Sequence, residues 1–223
     1  MEPGTRLIAT EAWRSAFPGA VVGFLTMREV RNPETSAALE EEKRRVEERL
    51  REGGAGAASV LHAYVDYYRA RGKTFHVKAQ RESVAVKGKP IPSRAALVEA
   101  MFMAELENLI LTAGHDLDAI APPVSVDVTS DDDRYVLLGG AEAVPGRGDM
   151  MMADREGIVS SVLRGPDHRT RITPETRNVL FAAYAPAGVG EAAVRDHLED
   201  VESNVMLVAP EAHTQDLTTL TAN

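Results

Sequence analysis

Three stretches of the 223-residue chain gather side chains suited to chemistry. Gly114-His115-Asp116-Leu117-Asp118 sets an imidazole among carboxylates just after a long apolar helix pattern, where a chain leaving a helix often presents side chains to a cleft. The same composition also suits an ordinary turn and cap. Asp167-His168-Arg169-Thr170-Arg171 carries two guanidinium groups, whose planar forks match phosphate oxygens or salt-bridge the surplus carboxylates nearby. Between residues 69 and 94, Arg69, Arg71, Lys73, Lys78, Arg81, Lys87, Lys89 and Arg94 stand against Glu82 alone, with Tyr67, Tyr68, Phe75 and His76 beside or among them. Cations that track a phosphate backbone next to rings that stack on bases make a nucleic-acid surface, although most such stretches only solubilise.

Other chemistries are excluded by inspection. The chain has no G-x-x-x-x-G-K-S/T phosphate-binding loop, no G-x-G-x-x-G after a strand, no H-E-x-x-H and no G-x-S-x-G. It has no cysteine, which removes disulfides, thiolate nucleophiles, iron–sulfur clusters and every cysteine-containing zinc site. Its six histidines are never four residues apart, so no helix face pairs two of them on a metal. Asp131-Asp132-Asp133 lacks the glycine and distal glutamate of a calcium loop and reads as a solvated hairpin turn. Neither a metal nor another cofactor is therefore expected.

The net charge of −9 looks like evidence against a nucleic-acid partner, but it hides a split. Through residue 111, 17 Lys and Arg face 15 Asp and Glu; after it, 8 face 19. The basic segment is a local surplus of seven on an otherwise acidic chain. No run reaches the roughly 18 apolar residues of a membrane span, and the start lacks a basic-then-apolar leader, so the expected place is the cytoplasm, without a membrane partner.

Elements must position these groups. Residues 20–27 are apolar, follow Pro18-Gly19 and read as a strand. A polar helix opens at Asn32-Pro33 and runs to about residue 52, with Glu41 to Arg45 and Glu40 to Arg44 as supporting pairs and Leu39, Val46 and Leu50 as its narrow apolar stripe. After a Gly/Ala break at residues 53–56, Val60, Leu61, Tyr64, Val65 and Tyr68 predict a second helix. Residues 75–86 read as a short strand or loop. Ser93 is the expected N-cap of a third helix carrying Leu97, Met101, Ala104, Leu106 and Leu109. Short strands follow at 124–128, 135–138, 150–152 and 158–163, with an apolar run at 179–184. Residues 193–201 read as a helix, 205–208 as a strand, and those after Pro210 as a loosely ordered polar tail. Blocks of helices and strands imply an α+β fold, taken as a single unit over 1–223 with parts at 1–90, 91–209 and 210–223.

From about residue 92 to residue 184 the chain resembles the B3/B4 domain of the phenylalanyl-tRNA synthetase beta subunit, as found in stand-alone proteins. The residues that carry the likeness are a helix leading to His115-x-Leu117-Asp118 and Ile120, the strands at 124–128 and 135–139, Gly148-Asp149 before a strand ending Ala153-Asp154, Gly165, and Thr176-x-Asn178-Val179-Leu180. The resemblance implies a fold of mixed and antiparallel sheets flanked by helices. It also implies binding of the aminoacylated 3′ end of transfer RNA and hydrolysis of wrongly attached tyrosine, as an aminoacyl-tRNA deacylase.

The family's pocket histidine falls on His115, to orient the terminal adenosine or the attacking water, and its pocket glycine falls on Gly165. The glutamate that recognises the tyrosine hydroxyl falls on Ala182, and a polar pair of the long helix falls near Met103-Ala104, with Asn108 one turn later as its candidate substitute. Losing that carboxylate matters, since a site that hydrogen-bonds a hydroxyl discriminates strongly and an apolar one does not. His115 is thus the candidate catalytic residue. Gly165, Asn108, Asn178, Asp149, Arg169 and Arg171 are candidates for substrate contact, and Arg69, Arg71, Lys73, Lys78, Arg81, Lys87 and Lys89 for RNA. Two alternatives stand beside this reading: an RNA-binding module without turnover, and a small-molecule site built from Asp149, Asp154, Asp167, Arg169 and Arg171.

Overall fold

Residues 21–28 are apolar on both faces, and a strand of that pattern has to be covered on both sides. In the computed structural model, which describes residues 6–53 and 58–223, it lies inside a four-stranded sheet under a long helix. The elements run β1 (Leu7–Ala9), α1 (Glu11–Ala16), β2 (Val21–Arg28), α2 (Ala37–Arg51), α3 (Ala58–Arg69), α4 (His76–Ala85), α5 (Ala96–Asn108) and β3 (Thr112–Asp116). They continue as β4 (Val124–Val128), β5 (Tyr135–Val136), β6 (Glu142–Ala143), β7 (Met150–Asp154), β8 (Gly157–Ser161), β9 (Gly165–Pro166), β10 (Asn178–Ala185), α6 (Glu191–Met206) and β11 (His213–Thr221). Of the sequence features named above, most of the break at 53–56 and the first five residues lie outside the described residues.

The fold is α+β. One antiparallel sheet has the order β11-β2-β10-β3, one mixed sheet the order β1-β4-β7-β8-β9, and β5 and β6 form a separate ribbon. Among the described residues, only β1 and β4 pair in parallel. β10 pairs with β2 along its whole length, from Asn178 opposite Arg28 to Ala185 opposite Val21. Helix α6 packs across β2, β10 and β11, with α5 beside it. Gly23 permits that approach, because a Cβ there would lie 2.5 Å from Val194 Cγ1 and 2.8 Å from Leu198 Cδ1.

Several sequence expectations are corrected. Residues 75–86 form α4 and not a strand or loop: Val77 and Val84, two turns apart, make one buried stripe, and packing against α2 and α5 outweighs their β-branched propensity. Residues 205–206 end α6 rather than starting a strand, since Val201 and Val205 extend the buried series Val194, His197 and Leu198 by helical steps. The expected loose tail is instead β11, which satisfies the outer edge of β2, while Gly19 N–H donates to Ala222 O (2.7 Å) and Ala222 N–H to Ala20 O (2.9 Å).

Ser93 does not cap α5, whose N-cap is Ala95 without a side-chain bond. Its hydroxyl instead accepts from Lys43 Nζ (2.6 Å), which is buried and also donates to Glu99 (3.0 Å) and Glu40 (2.6 Å). Glu40 therefore pairs with Lys43 rather than Arg44, and this buried cation ties α2 to α5. Glu41 does pair with Arg45. Among the described residues, no helix is long and apolar enough to cross a membrane.

Candidate functional site

The aromatic residues of α3 face inward. Tyr64 OH donates to Tyr184 O (2.5 Å), accepts Leu111 N–H (2.9 Å), and its ring stacks on Phe75 at 4.5 Å. Tyr67 OH donates to Asp149 Oδ1 (2.7 Å) and accepts Met150 N–H (2.8 Å), while Tyr68 OH donates to Val162 O (2.9 Å). All three tyrosines and Phe75 are buried, so the rings expected to stack on bases instead clamp α3 and α4 to the sheets. Only His76 of that group is exposed.

These clamps leave a cleft of about 310 Å³ between the two larger sheets, α4 and α5. Its walls are His76 of α4, Glu105 of α5, Leu111, Thr112 and Ala113 at β3, Tyr184 of β10, and residues 161–166. The turn from β8 to β9 is held from below: Asp149 Oδ2 accepts Leu163 N–H (2.9 Å), and Tyr135 OH donates to Gly165 O (2.8 Å). Gly165 has φ 87°, a conformation that favours glycine, and a Cβ there would meet nothing within 4 Å.

Glu105 is the group that sequence reasoning missed. It is 5% exposed, and its Oε1 accepts Thr112 N–H (3.2 Å). Among the described residues its side chain has no other hydrogen bond and no ion pair. Burial therefore pushes its carboxyl up to about 8, so near neutral pH it holds its proton. A carboxyl so perturbed in a cleft marks a candidate site. The sequence signal was available: Glu99 and Glu105 interrupt a helix that is otherwise apolar on nearly every face.

The other sequence candidates fall in separate places. His115 lies on β3 with its side chain fully buried, and it is not among the residues that line the cleft. Its Nδ1 meets Thr170 Oγ1 (2.8 Å), and that hydroxyl is bonded in turn to Asp167. The carboxylate only accepts, so Thr170 gives it the proton and receives the Nδ1–H of His115. Nε2 is left as a bare lone pair with no partner among the described residues. Burial, followed by the nearby Arg169 charge, pushes this imidazole down to about 3.

Asn108 faces α6, donating to Asp200 Oδ2 (2.8 Å), and Asn178 donates to both oxygens of Asp118 (3.0 and 2.8 Å). Arg169 pairs with both oxygens of Asp154 (2.9 Å each) and with Ala119 O (2.7 Å), whereas Arg171 is exposed and donates to His168 O (2.7 Å). Of the residues named for substrate contact, Gly165 lines the cleft and Asp149 supports its turn.

The basic segment divides in two. Arg71 sits 3.7 Å over the Tyr67 ring and donates to Gly148 O (2.9 Å), while Arg81 donates to Leu106 O (3.0 Å) and Glu107 O (2.9 Å). Arg69, Lys73, Lys78, Lys87 and Lys89 are exposed, Arg69 within 3.6 Å of Asp66 and Lys78 within 3.9 Å of Glu82.

No family model and no curated protein matches the chain. A crystal structure of an N-terminal fragment of the phenylalanyl-tRNA synthetase beta subunit from Pyrococcus horikoshii is similar to it, with a TM-score of 0.53 and 10% sequence identity. The match covers 97% of this chain and 54% of that one, so the chain spans about half the length of the synthetase fragment. At that identity the likeness carries the fold alone: nearly the whole of this chain has an α+β architecture that is also found within a synthetase fragment.

Proposed function

We propose that the chain binds the aminoacylated 3′ end of a transfer RNA and hydrolyses the ester of a wrongly attached amino acid. One observation carries the reading: a single cleft takes His76 from the basic segment and Gly165 from the synthetase-like segment. Its volume is near the lower end of small-ligand pockets, which suits an amino-acid side chain and its ester. The exposed cations Arg69, Lys73 and Lys78, close to His76 in the chain, are the groups that meet the RNA backbone in this reading.

In the hydrolysis a water oxygen bonds to the ester carbonyl carbon, the bond from that carbon to the ribose oxygen breaks, and the ribose leaves as a hydroxyl. The neighbouring ribose hydroxyl orients the water, and the backbone N–H of Arg164, next to Gly165, stabilises the oxyanion, since Val162 N–H and Leu163 N–H are engaged by Met150 O and Asp149. Gly165 leaves space for the amino-acid side chain. Asp149, through Leu163 N–H, is a positioning residue for that turn. His115, neutral and enclosed, positions β3 without touching substrate.

A second reading, RNA binding without turnover, is favoured by the enclosure of His115 Nε2 and by the lack of a histidine base among the cleft walls other than exposed His76. Transfer RNA mischarged with tyrosine separates the two. The chain should release the amino acid faster than a buffer blank, and Ala113→Leu, which fills the cleft from β3, should slow release about tenfold or more. A rate equal to the blank overturns hydrolysis, and salt-dependent binding without release selects the second reading.

A further inference from the structure

Among the described residues Glu105 is a carboxyl without a counter-charge. It is buried, it lines the cleft, and its one hydrogen bond among those residues is from Thr112 N–H. Charged carboxylates taken out of water are normally paired or liganded, and one that is neither keeps its proton. The other polar groups around the cleft do not supply a cation at the floor. Tyr184 OH is engaged with Ser160, Ser161 Oγ lies 3.3 Å from Tyr135 OH, and Arg164 and His76 are exposed at the mouth. Tyr64 and Tyr68, whose titration feels the Glu105 charge, are buried and neutral. The cleft is therefore polarised, with positive or basic groups outside and one uncompensated carboxyl within.

We infer that Glu105 recognises a primary ammonium on the ligand, so that the cleft selects acyl groups with a free α-amine and rejects N-acylated ones. The inference rests on the cleft being the ligand site proposed above, and it deepens that reading by naming the feature of the acyl group that is read. When the ammonium docks, it supplies the missing charge, Glu105 ionises, and its proton passes to solvent. Arg164 and His76 at the mouth then face the phosphate and ribose side of the same ligand. Binding thus has a built-in direction, amine inward and backbone outward.

The test uses puromycin, a non-hydrolysable aminoacyl amide of a modified adenosine with a free α-amine, against N-acetylpuromycin, on the full chain. Calorimetry near pH 7 in two buffers of different ionisation enthalpy reads affinity and proton release together. Puromycin should bind at least about tenfold more tightly than its N-acetyl form, with release of up to one proton, because a charge-assisted bond is lost on acetylation. Glu105→Gln keeps the shape and a donor but cannot ionise. It should bind both compounds alike, without proton release, and with an unchanged circular dichroism spectrum.

Equal affinity of the two compounds for the wild-type chain, binding of neither, or proton release that persists in Glu105→Gln overturns the inference. Failure here is distinguishable from failure of the hydrolytic reading. Selectivity for puromycin in a chain that deacylates nothing leaves the amine site standing. Equal deacylation of aminoacyl- and N-acetylaminoacyl-transfer RNA removes the amine site and leaves hydrolysis.

Discussion

Buried titratable side chains set how this molecule responds to pH. His115 and His197 are enclosed, and burial pushes each imidazole from its ordinary 6.5 down to about 3. Below 6.5 the unfolded chain takes up protons that the folded chain refuses, so stability falls with falling pH by about 1.4 kcal/mol per unit for each histidine. Glu105 acts in the opposite sense. Its folded value of about 8 lies above the ordinary 4.5, so its contribution is fully present below 4.5 and drains away as pH rises towards 8. Between 4.5 and 6.5 two histidines outweigh one glutamate; above 6.5 the glutamate acts alone. Urea unfolding across this range should therefore peak near pH 6.5, and Glu105→Gln should flatten the decline above the peak and steepen the acid limb between 4.5 and 6.5, where the glutamate no longer opposes the histidines. A profile that rises steadily to pH 8 would count against the buried, unpaired state of Glu105.

At the scale of elements, the closest approach is that of α6 to β2 at Gly23. Gly23→Ala should destabilise the fold by about 1–3 kcal/mol through overpacking against Val194 and Leu198, read as a lower urea midpoint with an unchanged slope. β4 was legible by its alternation and β2, β7 and β8 by short apolar runs, β10 showed only as an apolar run, and α2, α3 and α5 were legible because their apolar residues recur at helical steps. What sequence hid has physical causes. α4 has only two buried valines among charged residues, so its stripe was too sparse to declare a period. β11 is Thr-rich and half-exposed, and only the open edge of β2 makes it a strand. The cap assigned to Ser93 failed because a buried lysine from another helix claimed the hydroxyl. At the site, Gly165 was found and Glu105 was not, since a carboxyl inside an apolar helix reads as a break in the pattern until the facing strand shows what surrounds it.

For the whole molecule the charge map decides where a polyanion can rest. The chain is acidic in sum, but Arg69 at the end of α3, Lys73 in the α3–α4 connection and Lys78 on α4 lie exposed along the segment that carries His76. Arg71 and Arg81 are committed to main-chain carbonyls and contribute to the fold more than to a ligand. Replacing Lys73 and Lys78 together by Glu should weaken binding of transfer RNA regardless of its sequence and lower the slope of log affinity against log salt by about one for each phosphate no longer neutralised. Arg155→Glu, on the turn between β7 and β8, should leave the slope unchanged. Equal slopes for all three proteins would move the RNA surface elsewhere.

The position of β2 also governs the order of events at the ribosome. It is complete by residue 28, yet its two neighbours are β10 at 178–185 and β11 at 213–221. At about 5–20 residues per second, roughly 10–40 s pass between synthesis of this strand and synthesis of the second of those partners. Throughout that interval Val21-Val22-Gly23-Phe24-Leu25-Thr26-Met27 has two open edges and no charge, the signature of a segment that self-associates. The antiparallel sheet is therefore completed only after residue 221 has been made, and until then both edges of β2 are open to pairing with other chains.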